Sequence, residues 1–92
     1  MADIDITRSH AMSTDDAKAA VERVAQDLKD EYGVSYDWEG DTLDFEGSGT
    51  DGRIDVRPDE VDVSIGLNFM LRNTMKGTIE RRAKELLDEH LQ

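Results

Sequence analysis

Between Val34 and Leu67 the chain switches between apolar and polar residues at almost every step, and this two-residue period constrains the fold more than any other feature of the sequence. Successive side chains of an extended strand project to opposite sides, so a run with this period can bury only one of its faces. Val34, Tyr36 and Trp38 alternate with Ser35, Asp37 and Glu39, and Gly40-Asp41 then turns the chain. Leu43 and Phe45 alternate with Asp44 and Glu46, and a glycine-rich stretch from Gly47 to Gly52 reads as a second turn. Ile54 and Val56 mark a third strand, and Pro58-Asp59-Glu60 a third turn. Val61, Val63, Ile65, Leu67 and Phe69 occupy the inward positions of a long final strand. Four strands joined by short turns predict an antiparallel meander.

The flanking segments add one more strand and two helices. Ile4 and Ile6 alternate with Asp3, Asp5 and Thr7 as a short strand ending before Ser9. Ser13 is placed to cap a helix whose first turn carries Asp15 and Asp16, and Gly33 can supply its left-handed stop. Ala17, Ala20, Val21, Val24, Ala25, Leu28 and Tyr32 draw one apolar stripe along that helix, with small residues predominating. From about Thr74 the period is helical again, with Met75, Ile79, Ala83, Leu86, Leu87 and His90 on one face. The order is β-α-β-β-β-β-α. Residues 1–92 therefore read as a single α+β domain, an antiparallel sheet with two helices packed on one face. The other face meets water and holds Asp5, Asp37, Glu39, Asp44, Glu46, Asp55 and Asp62.

Charge and composition exclude several function classes. Twenty-two acidic against 11 basic side chains give a net charge of −11. Such a chain repels phosphate backbones and has no basic stripe to displace their counterions, so nucleic-acid binding is not expected. There is no cysteine, which excludes disulfides, thiolate metal sites and thiol catalysis. No apolar run approaches the roughly 20 residues of a membrane span, and the N-terminus lacks a signal peptide's pattern, so the expected location is cytoplasmic.

No catalytic, metal-binding or cofactor-binding residues emerge from the motifs. His10 and His90 have no carboxylate or second histidine at ligand spacing. The glycines from Gly47 to Gly52 lack the Lys-Ser/Thr ending of a phosphate loop and lead into a strand. The carboxylates of Asp37, Glu39, Asp44 and Glu46 could oppose one another across a hairpin, yet they project from a solvated face and do not match a calcium-loop pattern. Two apolar features remain as candidates. Tyr36, Trp38, Phe45 and Phe69 all fall on inward positions, where they form core or line a shallow pocket between sheet and C-terminal helix for an acyl or other hydrophobic ligand. The run Phe69-Met70-Leu71, with Met75 beyond it, breaks the alternation and is the candidate hydrophobic contact, Phe69 anchoring it from inside.

The segments Arg8 to Ala17 (R-S-H-x-M-S-x-x-x-A), Tyr32 to Phe45 (Y-G-V-S-Y-D-W-E-G-D-T-L-D-F), Gly49 to Val56 (G-T-D-G-R-I-D-V) and Gly77 to Asp88 (G-x-I-E-R-x-A-K-E-x-L-D) resemble the small bacterial family of polyhydroxyalkanoic acid system, or granule-region, proteins. The resemblance covers nearly the whole chain. It implies a non-enzymatic accessory protein, with a polyhydroxyalkanoate granule or a granule-associated protein as partner, and it carries over no catalytic residue. A module binding an acyl ligand is the alternative, and a homodimer or partner-binding domain using a sheet edge is a third reading.

Overall fold

A computed structural model describes residues 2–47 and 49–91. The elements run β1 (Ile4–Ser9), α1 (Thr14–Tyr32), β2 (Ser35–Glu39), β3 (Thr42–Gly47), β4 (Thr50–Val56), β5 (Glu60–Leu67), α2 (Phe69–Thr74) and α3 (Lys76–His90). All neighbouring strands are antiparallel, in the order β1-β5-β4-β3-β2. The meander fixes the sequence β2 to β5, and β1 adds beside β5 at the far edge. Because β1 and β2 lie on opposite edges, α1, which joins them, has to cross the sheet. It does so on the face that the two-residue period makes apolar.

Local chemistry sets the ends of α1 as the sequence predicts. The Ser13 hydroxyl accepts from the Asp16 backbone N–H at 3.1 Å, and Gly33 closes the helix at φ 72° with its N–H donating to the Lys29 carbonyl. Ala17, Ala20, Val21, Val24, Ala25 and Leu28 are all buried. Against them lie Leu43, Ile54, Val61, Val63 and Ile65 from the sheet and Ala83, Leu86 and Leu87 from α3. Arg82 makes a two-bonded contact with Glu31, and His90 Nε2 lies 2.8 Å from Asp27, so two polar pairs bridge α1 and α3. Arg8 reaches Asp88 at 2.9 Å and ties β1 to α3.

Two expectations about the strands need correction. The turn between β3 and β4 is narrower than the glycines suggest, because Gly47 pairs with Thr50 and Gly52 lies inside β4. Ser48, part of that expected turn, lies outside the described residues. Gly52 serves another purpose: a Cβ there would meet the Phe45 ring and come within 2.6 Å of the Ser64 carbonyl. The Phe45 ring, on the paired residue of β3, lies over the bare backbone.

The second correction concerns the last strand. It ends at Leu67, because Asn68 caps a helix instead of continuing the alternation: its side-chain oxygen accepts from the Leu71 N–H at 2.9 Å. A third helix, α2, therefore precedes α3. Leaving the strand phase turns Phe69 outward, where it is 73% exposed, and the inward anchor expected of it does not exist.

The solvated face is as acidic as expected, and its register adds a detail. Asp37 opposes Asp44, Glu46 opposes Asp51, and Asp55 opposes Asp62. Like charges placed directly across a sheet repel. Neighbouring donors offset part of this: Arg53 pairs with Asp44 at 3.1 Å, Arg57 with Asp62 at 3.1 Å, and the hydroxyls of Thr42 and Thr7 donate to Asp55 and Asp62.

Candidate functional site

The four residues expected to line one pocket are brought together only in part: Tyr36 lies directly opposite Phe45 across β2 and β3, while Phe69 stands on α2 and faces outward. Tyr36 and Trp38 point to the helix side from the edge strand β2, but there they meet a carboxylate. The Tyr36 hydroxyl donates to one oxygen of Glu22 on α1, and Trp38 Nε1 donates to the other at 2.7 Å. These bonds hold the Glu22 carboxyl below the usual carboxylate range and push the Tyr36 phenol up. Lys18, one turn before Glu22, lies 5.0 Å from the centre of the Trp38 ring and donates to the Gly40 carbonyl at 2.9 Å. The cluster is a clamp that fastens α1 to an edge strand.

Of the four, only Phe45 borders the apolar cavity under the helices. It lies at the other end of the helix layer, with a volume of about 120 Å³. The floor comes from Phe45, Thr50 and Ile65, and the walls from Leu28, Tyr32 and Val34. Leu71, Met75, Ile79 and Ala83 close it from α2 and α3. Burial pushes the Tyr32 phenol up, with Glu31 and Glu85 adding to the effect and Arg82 opposing it.

The segment Phe69 to Met75 divides between two surfaces. Leu71 packs against the core and, with Met75, faces the cavity. Phe69 and Met70, 73% and 70% exposed, project outward as the large hydrophobic side chains exposed among the described residues. Asp3 steadies the start of this segment, accepting from the Leu67 N–H at 2.8 Å and from Arg72 at 3.4 Å. The Leu67 bond is the main cause holding its carboxyl low. No Asp or Glu occurs from Val63 to Ile79 in a chain otherwise dense in them, so the outward tip is apolar and free of negative charge.

Of the cavity's apolar lining, sequence reasoning had only Phe45 as a pocket residue; it missed Leu28, Tyr32, Val34, Ile65, Ile79 and Ala83, because their periodic positions mark them only as core. It also missed Glu22, whose partners lie 14 and 16 residues away. The acid-free run was a legible signal for the tip. His10 proves to be a loop tie: its Nδ1 accepts from the Met12 N–H and its Nε2 faces the Arg57 carbonyl at 2.9 Å.

The features together define a small α+β protein whose apolar chemistry collects at one end of a helix-covered antiparallel sheet. A family model described as "Putative polyhydroxyalkanoic acid system protein" matches residues 4–91, and the chain belongs to that family. No curated protein and no solved structure matches it.

Proposed function

We propose that the protein is a non-enzymatic accessory component of polyhydroxyalkanoate storage that docks, in the cytoplasm, on the polyester granule or on a granule-bound protein through the tip of α2. The observation that carries this reading is the outward pair Phe69 and Met70 in a segment without acidic residues. Exposed bulky side chains at one spot favour an apolar partner surface, and the absence of carboxylates there avoids their desolvation on contact. The acidic sheet face would then point away from the granule and keep coated particles apart by like-charge repulsion. A non-catalytic role also fits the direction of the carboxylate shifts. Asp3, Glu22 and Glu31 are all held low by hydrogen bonds within the fold, which makes each a poorer base and keeps it from donating a proton near neutral pH.

The test is fractionation of granule-forming cells that express the protein or its Phe69→Asp/Met70→Asp variant. Both side chains are exposed, so the variant should fold as the parent does. The parent is expected with the granules and the variant in the soluble fraction; the same distribution for both would remove the reading.

A further inference from the structure

The cavity beneath α2 is small and lined almost wholly by apolar side chains. An engineered cavity of about 150 Å³ lined by similar residues stays dry and holds a six-carbon ring. The cavity here, at about 120 Å³, is slightly smaller. It is far below the volume needed for a whole cofactor or a long fatty chain. Its floor includes the Phe45 ring, which lies over the bare backbone of Gly52, with Thr50 and Ile65 beside it.

One polar group marks the rim. The Tyr32 ring lines the cavity, and its hydroxyl has no hydrogen-bond partner among the described residues, in contrast to the Tyr36 hydroxyl bonded to Glu22. The charged groups that act on it are Glu31, Glu85 and Arg82, and Arg82 is already engaged by both Glu31 oxygens. The surroundings thus carry an excess of negative charge, which disfavours a free carboxylate and leaves an uncharged oxygen as the suitable acceptor for the Tyr32 proton.

From this arrangement we propose that the cavity is a binding site for an uncharged short alkyl chain of about four to six carbons, such as that of an ester or alcohol, whose oxygen accepts from the Tyr32 hydroxyl. The site is separate from the docking tip: Leu71 of α2 and Met75 at the junction with α3 face it, while Phe69 and Met70 are exposed.

The experiment is a titration of the ¹⁵N-labelled full chain with the methyl esters of butanoate, hexanoate and decanoate, and with free hexanoate, followed by amide chemical shifts. Saturable shifts are expected around Leu28, Ile65, Leu71 and Ala83. Binding should be strongest for the butanoate or hexanoate ester and weaker for the decanoate ester and for the free acid. Affinity that rises steadily with chain length, shifts confined to Phe69 and Met70, or no saturable shift would each overturn the proposal. Two variants sharpen the result. Ala83→Leu should fill the space and reduce ester affinity at least tenfold, and Tyr32→Phe should reduce it by about fivefold, the worth of one hydrogen bond. The chain-length series keeps the proposal testable should Ala83→Leu fail to fold. Met70→Asp should leave ester binding unchanged even where it abolishes granule association, so that failure of the docking reading and failure of this one can be told apart.

Discussion

At the end of the helix layer nearest Gly40, α1 presents Ala17 and Ala20 to its neighbours and both are almost completely buried; at the end nearest Gly49 it presents Leu28 and Tyr32, and a gap opens. The first end is also fastened from the side, by Glu22 to Tyr36 and Trp38 and by Lys18 to the Gly40 carbonyl. The second is closed by α2, a helix of 6 residues with no buried side chain. Small side chains allow close approach and leave little to fill, whereas the larger ones at the other end leave space between them. The difference teaches that one continuous apolar stripe can make a rigid seam at one end and an adaptable region at the other.

The sharpest way to break this comparison is to make the same substitution at both ends. Ala17→Leu should force extra methyl groups into a filled seam and lower stability by about 2 kcal/mol. Ala83→Leu should enter existing space and raise stability by about 0.5–1 kcal/mol. Denaturant midpoints measure both, and a loss of equal size at the two sites would mean that the ends are packed alike.

A smaller effect is expected at the clamp. Glu22→Gln keeps the shape but removes the charge that both donors address, and should cost about 1 kcal/mol after allowance for its partial exposure. The Glu22 carboxyl is lowered in the folded protein, so its contribution is present above the unfolded value and is lost as pH falls through the folded one. The stability difference between parent and variant should accordingly be full at pH 7, start to shrink as pH falls past the ordinary glutamate value of about 4.3, and vanish only below the lowered folded value. A difference that persists undiminished at low pH would show that shape, not charge, carries the clamp.

The smallest effect belongs to the acidic sheet face. Asp55→Asn relieves the repulsion with Asp62 while leaving an oxygen to accept from Thr42, and should stabilise by about 0.5 kcal/mol at low ionic strength. At about 1 M salt the gain should largely disappear, since charges at the surface of a sheet are then screened. Thermal unfolding at two salt concentrations would reveal whether it does.

How much of this was legible beforehand follows from which interactions are local. The two-residue period placed Ile54, Val61, Val63 and Ile65 on the covered face, and Ser13 and Gly33 marked the ends of α1, because strand alternation and helix caps are written within a few residues. Phe69 was misplaced for an equally local reason: alternation continues through it on paper, and only the Asn68 cap, three residues before the Leu71 N–H, shows that the strand has stopped. Strand order, the Glu22 clamp and the cavity depend on which segments meet across the sheet. No periodicity encodes that Gly52 pairs with Phe45, or that Leu28 and Ala83 face the space above them.

The central claim, that the α2 end is where the protein meets its apolar partner, is tested most directly by hydrogen exchange on the chain with and without suspended polyhydroxyalkanoate particles. The account predicts slowed exchange confined to the segment around Asn68 to Ala83, with the strands that carry Asp44, Asp55 and Asp62 unchanged. Protection of those acidic strands, or no protection anywhere in the presence of particles, would contradict it.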